Sequence, residues 1–261
     1  AISVQIKALE QQLGFELFDR HSRSPRLNAD GREVVARARE VLERYDRLGE
    51  GLGPDSEFAY EFTIGAIRTA QFSLAPVLAE LLTKHPRLKI KVVRGLTLDL
   101  AKRVEAGELD AALIAEPREP HTPLCDWQLY RQELFYMVAP PGSHGDDATL
   151  LADHGFIRFD RTAWAGRVID EELTQRALVP REVMELDSLE PALNMVEFGL
   201  GVTVIPFSGE EYERYRRQFY LVPFGNPQKV RRMGLYQKSG HSRRQVADRI
   251  LEALRQCAGG E

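Results

Sequence analysis

The chain has little cysteine. Cys125 and Cys257 are the only two thiols in 261 residues, and neither sits in a CxxC pair or beside a metal-ligand histidine. That spacing excludes a disulfide framework and a zinc site, and it fits a reducing cytoplasm. Catalytic signatures are missing as well. His21, His85, His121, His144, His154 and His241 form no HExxH or i,i+4 pair, and neither GxSxG nor a P-loop pattern occurs. No enzyme activity, metal or cofactor is therefore expected. No apolar run reaches the length of a transmembrane helix, and no basic-then-apolar leader opens the chain, so no membrane association is expected. Excess positive charge is absent too. The formal net charge is −4, which argues against bulk nucleic-acid binding through charge alone.

What is present is a hydrophobic content of 43%, enough for a core, in a length that suits one large domain or two to three small ones. The opening stretch SVQIKALEQQLG reads as a helix, with Val4, Ile6, Leu9 and Leu13 near one face and Gly14 ending it. FELFDR follows as a short apolar element. RHSRSPRLN, Arg20 to Asn28, then carries three arginines and no acid, a compact basic loop suited to phosphates, although a solvated loop has the same composition. Asn28 or Asp30 can cap a helix from about 31 to 48. Its apolar positions Val34, Ala38, Val41, Tyr45 and Leu48 are spaced 4, 3, 4, 3, a heptad seam suited to dimerisation. Packing of that stripe within its own domain is the alternative.

GEGLGPDSE, residues 49–57, cannot continue a helix and reads as a linker. Beyond it, strands alternate with helices of ten to fifteen residues, the pattern of βαβ units and a parallel sheet. A first α/β unit begins with the strand 58–66. ELFYMVAPPGSH, from Glu133, is a strand running into a Pro/Gly crossover. A second unit begins at FIRFD, 156–160, and the last strand and helix cover about 231–257. Two comparable α/β units imply two lobes with a cleft between them.

The order of these features resembles one family. S-V-Q-I-K-A-L-E-Q-Q-L-G-F-E-L-F-D-R, the Arg-rich turn and L-N-A-D-G resemble the recognition helix and wing of LysR-type transcriptional regulators. Asn28 stands where threonine is usual. F-T-I-G-A, L-A-P before a helix, V-E-A-G-E-L-D-A-A-L and G-L-G-V-T-V-I-P continue the resemblance along almost the whole chain. The resemblance implies an α/β architecture: a partial winged helix-turn-helix over 1–30, a linker or dimerisation helix over 31–52, and a two-lobed effector domain similar to periplasmic binding proteins. Lobe I would comprise 58–138 and 227–258, and lobe II 139–226. The family's first helices would lie before Ser3. The resemblance further implies double-stranded DNA and a small-molecule effector as partners, and a homodimer or homotetramer. Cys125 and Cys257 do not fall at the second-lobe positions of the family's peroxide sensors, so redox switching is not expected.

Two groups of candidate residues follow. On the DNA side, Ser3, Gln5 and Lys7 open the recognition helix, and Arg20, Arg23 and Arg26 populate the wing for phosphate contacts. On the sensing side, the cleft at the carboxyl ends of strands is the expected ligand site. Thr69 and Thr97 occupy strand-to-helix turns, where a hydroxyl beside a free helix N-terminus suits a carboxylate, or simply caps the helix. Arg68, Arg158, Arg161 and Trp164 are placed at the same cleft, with Thr203 and Pro206 closing the second-lobe wall. Arginine forks bind anions bidentately, so the expected effector is an organic anion such as a carboxylate. A solute-binding protein of a transport system is the competing reading, and the helical seam and wing before residue 50 speak against it. An enzyme on the same scaffold finds no acid–base or nucleophile cluster.

Overall fold

In the computed structural model, the residues described are 2–19, 25–46, 60–118 and 122–258. The chain divides into an N-terminal unit ending at Tyr60 and a C-terminal unit beginning at Glu61.

The N-terminal unit opens with α1, Ile2–Leu13, which Gly14 terminates at φ +81° while donating its N–H to Glu10 O at 2.9 Å. Strands β1, Phe18–Asp19, and β2, Arg26–Leu27, pair antiparallel as the wing hairpin. Leu17 is buried beneath it and ties the unit together. Its N–H donates to Glu10 Oε1 at 2.7 Å, and its carbonyl accepts from Asn28 N at 3.0 Å. The close approach also explains Gly31, where a Cβ would lie 2.1 Å from Leu17 O. Helix α2, Ala29–Asp46, follows, and Asn28 rather than Asp30 caps it, accepting from Gly31 N at 2.7 Å. Along α2 the seam residues Val41 and Tyr45 are 66% and 68% exposed, and Ala38 is exposed too, while Val34 is half-buried. Leu48, Arg20, Arg23 and the linker lie outside the described residues.

The C-terminal unit is built as the alternating pattern requires. Strands β3, Glu61–Ala66, β4, Lys89–Arg94, and β5, Ala111–Ala115, form a parallel sheet. They are connected through α3, Arg68–Lys84, and α4, Thr97–Glu105. Strand β5 reads AALIA and is buried along its whole length, as a parallel strand covered on both faces should be. The next strand departs from the sequence expectation. β6 runs from Cys125 to Ala139, fifteen residues, and not from Glu133. Its first part, CDWQLYRQ, mixes polar and aromatic residues because it pairs with the late strand β11, Val230–Lys238, and is only partly buried.

Past Leu134, β6 changes partners. It pairs antiparallel with β9, Thr203–Phe207, and β10, Tyr220–Pro223, so the strand order is β10-β6-β11-β5-β3-β4 with β9 also on β6. Lobe II therefore grows from the same strand that edges lobe I. Within lobe II, α5, Asp147–Asp153, precedes β7, Phe156–Phe159. Helix α6, Trp164–Gln175, leads to β8, Glu182–Leu186, which pairs parallel with β7. Helices α7, Leu189–Glu197, and α8, Gly209–Tyr215, flank β9, and α9, Arg244–Ala258, ends the described chain. Phe135, Met137, Phe156 and Ile169 pack on one side of the lobe II strands, and Val138, Ile157, Leu193 and Phe207 on the other. In lobe I, Leu100, Val104, Ile114 and Tyr236 pack together. Among the described residues, no helix is long and apolar enough to cross a membrane.

One buried carboxylate gives lobe II an acid sensitivity. Asp147 is buried, and desolvation alone would raise its pKa. Arg176 Nη2 at 2.8 Å and Gly225 N at 3.0 Å donate to it and hold it below the usual carboxylate range. A depressed native pKa stabilises the fold above the unfolded value of about 4, and that contribution disappears as pH falls toward the native value. The Asp147→Asn variant is expected to be less stable at pH 7 and to show a shallower loss of stability below about pH 4. Urea titrations across that range check this, and parallel wild-type and variant acid limbs would refute it.

Candidate functional site

Four strand-to-helix turns of the C-terminal unit face one another: β3–α3 and β4–α4 from lobe I, β7–α6 and β8–α7 from lobe II. They enclose a cavity of about 380 Å³. This is the position that parallel α/β sheets reserve for ligands, outside the carboxyl ends of the strands.

The helix N-termini at this cavity are built unusually. The N-cap residues of α3, α4 and α6 are Ile67, Leu96 and Ala163, none of which has a side chain able to cap, and Ser188 at α7 makes no cap bond. Elsewhere in lobe II the same chain does cap, with Asp146 accepting from Thr149 N at α5 and Ser208 forming a capping box with Glu211 at α8. At the cavity, no side chain caps the first turns of these helices, and the positive ends of their dipoles are directed at it. Thr69 and Thr97, expected as possible caps, are instead the second and first residues of their helices, and both line the cavity.

Guanidinium groups add to this field. Arg68, Arg94 and Arg231 line the cavity against the carboxylates of Asp160 and Asp187. Arg231 is only 4% exposed. Its Nε donates to Glu133 Oε2 at 2.5 Å and its Nη2 to Thr69 Oγ1 at 3.1 Å. Glu133, fully buried, is also ion-paired with Arg131, so two guanidiniums share one carboxylate and a positive charge is left over. Arg68 reaches across to lobe II, where Asp187 Oδ2 accepts from its Nη2 at 2.7 Å and Ser188 Oγ also accepts. Arg68 and Ser188 hold the Asp187 carboxyl below its usual range. A second tie between the lobes joins Arg118 to Glu171, with Arg118 stacked over the Trp164 ring at 5.7 Å. Trp164 lines the cavity, and its buried indole Nε1 meets no acceptor among the described residues.

The structure brings Arg68, Thr69, Thr97 and Trp164 together, and adds Arg94 and Arg231, which sequence reasoning missed. The other four expected effector residues lie elsewhere. Arg158 is buried against Asp170 and Glu182, and Arg161 is engaged with Glu182 and Glu185, so neither fork faces the cavity. Thr203 and Pro206 are buried within β9, paired to β6 in the lobe II sheet, and do not line it. In the N-terminal unit, Ser3, Gln5 and Lys7 are exposed on α1, and Arg26 is exposed on β2.

Residues 55–258 match the family model of the LysR substrate binding domain, and residues 1–32 match that of the bacterial regulatory helix-turn-helix proteins of the lysR family. Among curated relatives, the HTH-type transcriptional regulator CzcR of Bacillus subtilis is 27% identical over 85% of this chain and 75% of its own length. A probable hydrogen peroxide-inducible genes activator of Mycobacterium avium is 30% identical over 97% of this chain and 85% of its own. Among solved structures, a full-length OxyR variant from Pseudomonas aeruginosa superposes with a TM-score of 0.68 at 26% identity, covering 97% of this chain and 84% of that one.

Proposed function

Since the chain belongs to the LysR family of transcriptional regulators, we propose that its cavity between the lobes senses a small organic anion, with a carboxylate as the recognised group. The observation that carries this reading is the convergence of side-chain-uncapped helix N-termini with Arg68, Arg94 and Arg231 on one 380 Å³ space. Thr69 and Thr97 supply hydroxyls, and the Trp164 indole supplies a flat wall and a donor without an acceptor. Occupancy biases the closure of lobe II on lobe I, because the anion takes hydrogen bonds from both.

In this reading Ser3, Gln5 and Lys7 face DNA bases and Arg20, Arg23 and Arg26 the phosphates. Val34, Ala38, Val41, Tyr45 and Leu48 form the seam between two copies. The exposure of Val41 and Tyr45 supports a partner on that stripe.

Benzoate titrated against the protein, followed by tryptophan fluorescence, tests the sensing site, with Trp164→Phe identifying the signal. Arg68→Gln and Arg94→Gln are each expected to weaken binding roughly tenfold or more, the worth of one charge-assisted hydrogen bond. A panel of aromatic and aliphatic carboxylates that leaves the Trp164 signal unchanged would overturn the anion reading, as would a benzoate signal indifferent to both arginine changes.

A further inference from the structure

Both ends of the Arg68 fork are already engaged inside the cleft. Nη2 donates to Asp187 Oδ2 at 2.7 Å, and Nη1 donates to Ser188 Oγ. Ser188 in turn donates to Asp187 Oδ1 at 2.9 Å. Arg68 thus holds a carboxylate and a hydroxyl at once, much as it would grip a bound anion. We propose that Asp187 is a built-in counter-anion: it occupies the Arg68 subsite in the ligand-free chain, and an organic anion must displace it to bind. This rests on the reading of the cleft as an anion sensor, and it adds what sets the sensor's threshold.

The surroundings single out Asp187. It stands in the turn between β8 and α7 of lobe II, whereas Arg68 is the first residue of α3 in lobe I. The carboxylate therefore reaches the subsite from across the cleft, as a ligand would. Ser188 is the N-cap residue of α7 and its hydroxyl is able to cap, yet it is spent on Asp187 and Arg68. The chain gives up a helix cap to complete this contact. Asp160, the other carboxylate of the cleft, is held by its own loop, its Oδ1 accepting from Thr162 N at 2.8 Å and Thr162 Oγ1 at 2.6 Å.

The contact is also exchangeable. The Asp187 side chain is 62% exposed and that of Arg68 29%, and an ion pair so open to water is weak. Arg68 and Ser188 nevertheless keep the Asp187 carboxyl below its usual range, and the charge of Arg94 adds to this, so it is an anion at neutral pH. A ligand carboxylate that takes Arg68 releases Asp187 into water at small cost. The direct tie between the lobes is then replaced by one that runs through the ligand.

Asp187→Asn keeps the size of the side chain and removes its charge. With benzoate titrated against the full chain and Trp164 fluorescence followed, half-saturation is expected at a concentration about three- to fivefold lower than in wild type. Asp187→Glu, which keeps the charge, is expected to stay within about twofold of wild type. The gain is expected to vanish when Arg68→Gln is added to Asp187→Asn, because the carboxylate then has nothing to compete for. Glu171→Gln loosens the other tie between the lobes at a residue that does not line the cavity, and it is expected to leave half-saturation within about twofold. An equal gain there would make Asp187 a mere fastening between the lobes and overturn the proposal. So would unchanged half-saturation in Asp187→Asn, or a gain that persists beside Arg68→Gln. Failure of benzoate and the other carboxylates to titrate any of these chains is a different result: it removes the sensing reading, and the competition with it.

Discussion

Glu133→Ala is expected to destabilise the C-terminal unit by about 3–5 kcal/mol, lowering its Tm by roughly 10 °C. Glu133 is fully buried between Arg131 and Arg231, the latter 4% exposed. Removing it strands two guanidiniums whose hydration was given up on folding, and Thr69 Oγ1, the other group that Arg231 donates to, carries no charge. The loss is dominated by uncompensated buried charge and not by the missing contact itself. A second change can therefore recover part of it: adding Arg131→Met to the alanine variant removes one stranded cation and is expected to regain a portion of the stability. Thermal unfolding followed by circular dichroism measures both. A single variant within about 1 kcal/mol of wild type would show that the two arginines reach water and that the surplus positive charge assigned to the cleft is not confined there.

Gly166→Ala is expected to be nearly as damaging and to act on the cleft directly. Gly166 is the third residue of α6, and a Cβ there would lie 2.0 Å from the carbonyl oxygen of Asp160 and 3.0 Å from Arg161 Cα. Both obstacles are backbone, so no side chain can swing aside. The start of α6 must lift from the turn at Asp160, at a cost of about 2–3 kcal/mol by the usual scale of overpacking. Trp164 is two residues earlier and moves with it, so benzoate affinity is expected to fall about tenfold or more along with the Tm. Wild-type stability together with wild-type affinity in this variant would contradict the packing described for the lobe II wall.

The residues that sequence alone could place are those whose role is local. Arg68, Thr69, Thr97 and Trp164 sit where a strand gives way to a helix, and that punctuation is visible in the alternation of the chain. Arg158 and Arg161 have similar local settings, yet acids decide their fate. Asp170 and Glu182 stand twelve and twenty-four residues from Arg158 and turn its fork into the lobe. Arg231 presents the converse difficulty. It reads as one more charge in RRMGLYQK, and only the return of β11 alongside β6 brings it beneath Thr69, 162 residues away in sequence. Arg94 closes β4 as an ordinary exposed strand end, and nothing in KIKVVRG marks it as facing a cavity. The first half of β6 was illegible for a related reason: CDWQLYRQ satisfies neither strict alternation nor a continuous apolar run, because one flank is sheet and the other is a half-covered surface. Helix caps gave the reverse lesson. Ile67, Leu96 and Ala163 carry no local signal, and their meaning lies in the hydroxyls and carboxylates that are absent from those positions.

The fifteen residues of β6 extend for roughly 50 Å at about 3.3 Å per residue, paired first with β11 and then with β9 and β10. The two lobes are thus two ends of a common spine. Excising either one bares a strand edge of the other, so the lobes are expected to unfold as one cooperative unit. A destabilising change far out in lobe II is therefore expected to erode the folded population of lobe I as well, so a ligand that tightens either end steadies both.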